Sequence, residues 1–548
     1  MISKRLLPLL LVLLALTSLS PAVSASQEGS LEASLMKTTC DLPTSWLERI
    51  WHGYRADRSA QIQLVPKQPN FVGSGLPHVG PWPYDQDVPM FWYGPGYIKP
   101  GVTVNRPVTL ADIPDTSAAL LHFPFQSEDG RPMSEALLPE SQRQTPPKLI
   151  VTMVWDAGGM DVLNRWPDSW PVLKNLLPQG AWYSDATVGS SPTSTAQDHA
   201  SIGTGDFPQH SGVVAHHIKI GNTIQGPWTR GPGMLITPTL SDLYDRSTGN
   251  KSITGEVATV NIHLGMMGHG SMWGGGDKDP VVLRTFDGPN ATAGAEGSQW
   301  NLPGTLTPYY RFPSYVTNLP PLSDFTPAID RSDGQADGEW LGNPIHGLLG
   351  GFDTPARIPY ETKVIEGVVK HEGFGQDSVP DELFVNYKSI DFVSHLWSMD
   401  SKEMEDTVSV QDQYLKTFIA FLNRQVGKGQ WAMVLTADHG AVPSPAVSGA
   451  FQIATIGLSS AINDHFDKDG NDVPLVQQVY QTQIFVNMNE LAANHVTLNE
   501  ISQYTMGLTE DQTKQVGTTP ADPNAKVFQA VFPSSMMAQL PCLKGVVP

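Results

Sequence analysis

The hydrophobic pattern divides this chain into stretches of different period. The run KLIVTMVW, residues 148–155, is continuous and apolar, and lies between Pro146-Pro147 and the turn Asp156-Ala157-Gly158-Gly159. A run of that length without polar alternation predicts a strand buried on both faces, as in a parallel sheet. Two similar runs follow, DELFVNYKSID at 381–391 and WAMVLTADHG at 431–440. Between them, SKEMEDTVSVQDQYLKTFIAFLNRQV sets Val408, Leu415, Phe418, Ile419 and Leu422 on one helical face. Strands alternating with helices predict an α/β fold, a central and mostly parallel sheet with helices on both faces.

Elsewhere the pattern is weaker. Residues 26–145 are rich in Pro, Gly and Trp, with short apolar runs such as IQLVP and VPMFWYG. Residues 221–360 are irregular and read as a cap or loop region over the sheet edge, leaving 146–220 and 361–548 as the core of a single domain over 26–548. DHFDKDGND at 464–472 gathers several acids, but its glycine is misplaced for a calcium-binding EF-hand loop, and it reads as a solvated turn. There is no internal repeat.

The first residues follow another logic. Lys4 and Arg5 precede an apolar core from Leu6 to Leu19, and Val23-Ser24-Ala25 is a small-residue cleavage pattern. This predicts a signal peptide over 1–25 and a secreted or periplasmic protein. The core is shorter than the roughly 20 apolar residues of a spanning helix. No later segment reaches that length either, so no membrane anchor is expected.

The formal net charge is −20, and no cluster of Lys or Arg offsets it. That excludes a nucleic-acid surface, because phosphate backbones demand clustered cations. Only two cysteines occur, Cys40 and Cys542. Two thiols cannot build a Cys-rich zinc site, so any metal here must use His and carboxylates. Export favours a Cys40–Cys542 bridge; the alternative is a pair of buried thiols.

Ligands in open parallel sheets bind just past the carboxyl ends of strands. Three ends here carry metal-type side chains: Asp156, then Asp391 with His395, then Asp438 with His439. Asp391 and His395 are four apart, on one face of a helical turn. Each motif alone is weak, since a strand-terminal Asp is commonly a helix N-cap. A fourth element, GSSPTSTAQDHASIGTG, puts Thr195 at a helix start, where free N–H groups favour phosphate. Read alone, Thr195 is equally a plain N-cap.

Together, Asp156, the run from Thr195 through His199 to Gly205, Asp391-x-x-x-His395 and Asp438-His439-Gly440 resemble the alkaline phosphatase superfamily, above all its nucleotide pyrophosphatase/phosphodiesterase branch. The resemblance implies two divalent metal ions, zinc by preference, with manganese or another ion possible. It implies Thr195 as nucleophile. Asp156, Thr195, Asp438 and His439 would hold one ion; Asp391 and His395 would hold the other. The family's last ligand is a histidine near the C-terminus, and neither His465 nor His495 has its context. The stretch PHVGPWPYDQDVPMFWYGPG does, through His78, Tyr84, Asp85, Val88 and Pro89. The chain is therefore read as circularly permuted, with 26–145 as the displaced segment and His78 completing the second site. Cys40 and Cys542 would then flank the old junction.

The departures bear on substrate. His216 stands where the family often has a phosphoryl-contacting Asn, and Asp198 stands where Asn is frequent before His199. No counterpart of the monoesterases' Lys/Arg pair is evident. The implied activity is hydrolysis of a small phosphate diester or nucleotide pyrophosphate. Alternatives are a phosphomonoesterase of the alkaline phosphatase type, a phosphonate hydrolase or mutase, and a non-catalytic exported binding protein. A sulfatase is disfavoured, because Ser190-Ser191-Pro192-Thr193-Ser194 lacks the required arginine.

Overall fold

The computed structural model describes residues 25–284, 300–345 and 354–545. Residues 1–24 of the signal peptide expected over 1–25 lie outside them. Its helices include α1 (Ala25–Cys40), α2 (Thr44–His52), α3 (Asp112–Leu121), α4 (Thr195–Thr204), α5 (Leu240–Thr248), α6 (Arg357–Glu372), α7 (Ser389–Trp397) and α8 (Lys402–Leu422). Its principal strands are β1 (Ile62–Pro66), β2 (Met90–Tyr93), β3 (Val102–Val104), β4 (Leu149–Trp155), β5 (Ala181–Tyr183), β6 (Thr254–Ala258), β7 (Val281–Leu283), β8 (Asp381–Tyr387), β9 (Trp431–Thr436), β10 (Val476–Tyr480), β11 (Gln483–Val486) and β12 (Phe528–Pro533).

Eight strands form one sheet in the order β7-β6-β8-β4-β9-β2-β5-β3. The five from β7 to β9 are mutually parallel, and β2 alone runs against its neighbours. The three apolar runs are its centre, with β4 between β8 and β9 and every residue of β4 buried. Both faces are covered. Val151, Met153 and Trp155 pack with α6 and α8, including Val408, Leu415 and Phe418. Ile150 and Val154 pack with α3, α4 and α5 through residues such as Ile113, Ala200 and Tyr244. Side chains alternate across a strand, so one apolar run serves two helical layers. This is the α/β architecture expected from the pattern.

Two regions differ from expectation. The irregular stretch 221–360 also supplies α5 and the sheet strands β6 and β7. TGEVA carries Gly255 and Glu256, and VVL has three residues, so neither shows as a periodic run. Of the segment 361–548, the part beyond the β9 turn leaves the large sheet. Strands β10, β11 and β12 build a separate antiparallel sheet with β1, in the order β10-β11-β1-β12.

The chain ends meet. Leu35, Leu42, Leu47 and Ile50 from α1, α2 and their link bury against Phe532, Met536, Leu540 and Leu543. Cys40 and Cys542, 502 residues apart, form a disulfide across this contact. Cross-linking distant residues removes chain entropy from the unfolded state. The Cys40→Ser/Cys542→Ser variant is expected to lose about 2–4 kcal/mol of unfolding free energy, read from urea titrations. An unchanged midpoint would show that the apolar contact alone holds the ends.

Candidate active site

Adjacent parallel strands deliver their last residues to one place. Asn386 pairs with Val154 and Tyr387 with Trp155, so the turns after β4 and β8 lie side by side. Asp156 follows β4, Lys388 and Asp391 follow β8, and Asp438 and His439 follow β9. Asp156, Asp438 and His439 are fully buried, and Thr195 and Asp391 are 2% exposed.

Lys388, which sequence reasoning did not single out, is the hub. Its Nζ lies 2.7 Å from Asp156 Oδ1 and 2.9 Å from Asp391 Oδ2. It also donates to Thr195 Oγ1 at 3.0 Å. Burial opposes ionisation of both carboxyls, yet the Lys388 ammonium holds Asp156 and Asp391 below the usual carboxylate range. Burial likewise opposes the charge on Lys388, and Asp156 and Asp391 push its pKa up.

Three further residues grip Asp156 or Thr195. Asn386 Nδ2 donates to Asp156 Oδ2 at 2.8 Å and lies 2.9 Å from His199 Nε2. His263 Nε2 lies 3.3 Å from Asp156 Oδ2. His199 Nδ1 is 2.8 Å from Thr195 O, one turn back along α4. His263 comes from the irregular stretch, where no pattern pointed to it. Thr195 itself is the first residue of α4, after the extended Ser194, so its hydroxyl stands among the free N–H groups of the helix start.

The imidazoles are oriented by backbone carbonyls. His439 Nδ1 lies 3.0 Å from Gly440 O, and His395 Nδ1 donates to Gly75 O. A ring whose Nδ1 donates keeps its Nε2 lone pair for another partner. His439 Nε2 is 3.1 Å from Asp438 Oδ2 and 3.7 Å from Asp156 Oδ1. His78 Nε2 and His395 Nε2 lie 3.2 and 3.3 Å from the same atom, Asp391 Oδ1. The His78 ring stacks on His439 at 3.6 Å and sits 5.1 Å from His395. Burial, then the neighbouring His439, lowers the His78 pKa to about 4, which keeps the ring neutral. Burial disfavours charge on His439, but Asp438 raises its pKa to about 10. The pocket's field favours positive charge.

Ligand-type atoms here form interlocking trios within 4.8 Å: Asp156, Asp438 and His439; His78, Asp391 and His439; and Asp156, His199 and His263. His395 joins through Asp391. Asp391 Oδ1, Asp438 Oδ2 and His439 Nε2 are buried and make no well-formed hydrogen bond; each faces another ligand-type atom at 3.1–3.3 Å. Three carboxylates against one ammonium leave an excess of two negative charges before any imidazole is protonated, and the raised His439 pKa is the response to that excess. Unpartnered oxygen and nitrogen lone pairs in a field of that sign fit a divalent cation.

The loop that carries His78 is clamped to this turn. Gly440 N–H donates to Asp85 O at 3.0 Å, and Gly80 N–H donates to Asp85 Oδ2 at 2.8 Å. A Cβ on Gly440 would fall 1.9 Å from Tyr84 O, so only glycine lets the two backbones meet. His216 also borders the site. Its Nδ1 is 3.2 Å from Tyr480 Oη, and its buried Nε2 has no partner. Burial, then the charges of Lys388, His78 and His439, keep it neutral. Asp198 is buried with both oxygens unpartnered, and burial pushes its pKa up.

The family model for type I phosphodiesterase / nucleotide pyrophosphatase matches residues 150–530, more than half of the chain. The chain belongs to this family, and so to the phosphoester hydrolases of the alkaline phosphatase superfamily. It is 23% identical over 430 residues to alkaline phosphatase PafA of Elizabethkingia meningoseptica, covering 66% of this chain and 72% of that protein. It is 23% identical over 405 residues to a protein of Myroides odoratus named calcium-transporting ATPase, covering 66% and 73%. The crystal structure of wild type PafA superposes with a TM-score of 0.49 at 18% identity, covering 71% of this chain and 84% of that one.

Lys388 is paired with two of the three carboxylates. Removing one partner of a buried ion pair leaves uncompensated charge. Lys388→Met is expected to destabilise the metal-free protein by about 3–5 kcal/mol, measured by urea unfolding in chelator. A change within error would mean that the carboxylates do not depend on this ammonium.

Proposed function

We propose that the chain is an exported, metal-dependent phosphodiesterase of the nucleotide pyrophosphatase type, with Thr195 as nucleophile and two divalent ions, zinc by preference. The observation that carries this reading is the convergence of unpartnered atoms, Asp391 Oδ1, Asp438 Oδ2 and His439 Nε2, on the pocket that holds Thr195. Asp156, Thr195, Asp438 and His439 would hold one ion; Asp391, His395 and His78 would hold the other. When bound, such ions polarise a phosphoryl oxygen and lower the pKa of a coordinated hydroxyl.

The chain's own groups have separate tasks. Thr195 Oγ1 attacks phosphorus as the ester P–O bond breaks, giving a phosphothreonine and a departing alcohol or nucleotide. Lys388 Nζ, within hydrogen-bond reach of that oxygen, favours its alkoxide form. N–H groups at the start of α4 face the phosphoryl oxygens. The free Nε2 of His216 is available as a further donor. Water then attacks the phosphothreonine and restores Thr195. Splitting the displacement into two steps lowers each barrier.

Phosphomonoester hydrolysis is the second reading. Lys388 favours it, since an ammonium beside the nucleophile could hold an oxygen of a terminal phosphate, and the relative PafA is named an alkaline phosphatase.

Export rests on the predicted signal peptide and fits a disulfide, which persists in oxidising compartments. No helix among the described residues is long and apolar enough to cross a membrane. We further infer circular permutation. The segment 26–145 lies before the matched region, yet it supplies His78 and inserts β2 into the sheet beside β9. The disulfide ties the ends where the ancestral order would be continuous.

With added zinc, hydrolysis of bis-p-nitrophenyl phosphate and of a dinucleotide is expected to exceed that of p-nitrophenyl phosphate in steady-state assays. Faster turnover of the monoester selects the second reading. Thr195→Ala should lower kcat by on the order of 10⁴ or more, and chelation should abolish turnover until metal is restored. Activity that survives both would refute the nucleophile and metal assignments. His78→Ala should bind one metal ion fewer per chain by elemental analysis; unchanged stoichiometry would remove His78 from the ligands and with it the main support for permutation.

A further inference from the structure

A second acidic cluster lies at the amino ends of β6 and β7, opposite the edge that carries Asp156. Asp245 comes from the last turn of α5, Thr254 begins β6, and Asp277 and Asp279 precede β7. One carboxylate oxygen from each of Asp245, Asp277 and Asp279 lies within 4.8 Å of the others. They line a cavity of about 10 Å³, the space of one water-sized occupant, together with Thr254.

Among the described residues no lysine or arginine forms an ion pair with these acids; Arg311, whose charge reaches Asp279, is paired with Glu372. Lys278, between two of them in sequence, donates to Thr307 O at 2.8 Å, and Arg246, next to Asp245, reaches Gly274 O at 3.2 Å. Neighbouring Asp242 is satisfied by His269 Nδ1 at 2.7 Å and by the Thr239 amide at 2.9 Å. Asp245 is 4% exposed with Oδ1 unpartnered. Independently, the Thr254 hydroxyl, 1% exposed and lining the same cavity, has no partner. Burial, then Asp277, pushes Asp245 up to about 7; burial, then Asp245, pushes Asp279 upward.

We propose that Asp245, Asp277 and Asp279, with the Thr254 hydroxyl, form a structural calcium site separate from the catalytic centre. The donors are all oxygen, which selects a hard cation. Oxygens bonded to one calcium at about 2.4 Å lie no more than about 4.8 Å apart, a bound that the three carboxylate oxygens satisfy. Exposed Asp277 leaves one side open, where waters can complete the coordination that calcium requires. The ion would fasten the glycine-rich passage before β7 to α5 and β6, and so hold the edge strand.

The test uses the full-length enzyme kept in zinc throughout, so that calcium does not compete for the catalytic centre. Calorimetric titration with calcium chloride is expected to give one site per chain, and calcium to raise Tm by a few degrees. Asp277→Asn, an exposed substitution, should weaken calcium binding by about tenfold or more. Asp245→Asn/Asp279→Asn should lose the Tm rise. Its calcium-free Tm at neutral pH should also exceed that of the calcium-free parent, because two carboxyls whose ionisation burial opposes are gone; a purely structural role would lower it. No calcium-dependent Tm rise, or a rise and affinity unchanged in Asp277→Asn, overturns the proposal. If the double variant does not fold, Asp277→Asn decides alone.

Discussion

Three carboxylates share one water-poor pocket, and the protein must supply the positive charge that keeps them there. Leaving a carboxylate buried and unpaired costs several kcal/mol even after relaxation. Asp156 and Asp391 are each answered on one oxygen by the same ammonium, Lys388. Asp438 is answered on Oδ1 by the amides of Ala157 and His439. What is left over points inward, and it sets the rest of the local structure. The raised His439 pKa answers that excess of negative charge, backbone carbonyls steer the His439 and His395 rings, and burial with the neighbouring His439 keeps His78 neutral. A parallel sheet suits this concentration of charge, because consecutive strands end on the same edge and bring residues hundreds of positions apart within bonding distance.

The site is closed from outside the central strands. The loop around His78 has no helix of its own longer than the single turn Pro83–Gln86. Its position is fixed by what it touches: the side-chain-free Gly440, the Thr193 hydroxyl that donates to the His78 carbonyl, and β2 pairing antiparallel with β9. Antiparallel entry matters. A strand running against β9 starts at the edge where β9 ends, so the loop ahead of β2 arrives at the catalytic edge. A parallel strand would have delivered that loop to the opposite edge. On the permutation reading, the disulfide and the apolar contact of α1 and α2 with the C-terminal turns hold the segment's far end in register.

The legible parts of the chain are those whose physics is local. Continuous β-branched runs gave β4, β8 and β9, and a 3.6-residue period gave α8, because burial on two faces or on one stripe imposes those patterns. Asp156, Asp391, His395, Asp438 and His439 stood out because they follow such runs directly. Lys388 follows one too, but a lysine at a strand end reads as a solvated turn. Only the neighbouring Asp156, brought by another strand, turns it into a buried cation. His263 and Asn386 were hidden for the same reason, since their roles exist only after β6, β8 and β4 align. β6 and β7 were missed because a short strand with Gly255 and Glu256 takes its apolar environment from the neighbours rather than from its own sequence. The acids at 245, 277 and 279 never formed a run; the sheet edge assembles them.

The pocket is not symmetric, and the asymmetry bears on direction. Asp156, Asp438, His439 and His199 have no exposed surface, whereas the side chain of His395 is 34% exposed. An in-line displacement needs the entering and leaving oxygens on opposite sides of phosphorus. On the proposed mechanism, with Thr195 buried under Lys388 and the start of α4, the departing group would leave towards the more exposed His395 and Gly75. The same opening would then admit the water of the second step, from the side the leaving group has vacated. A nucleophile on the open side would instead expel its leaving group into the packed interior beneath β4. The burial pattern therefore supports Thr195, rather than a directly attacking water, as the group that makes the first bond to phosphorus.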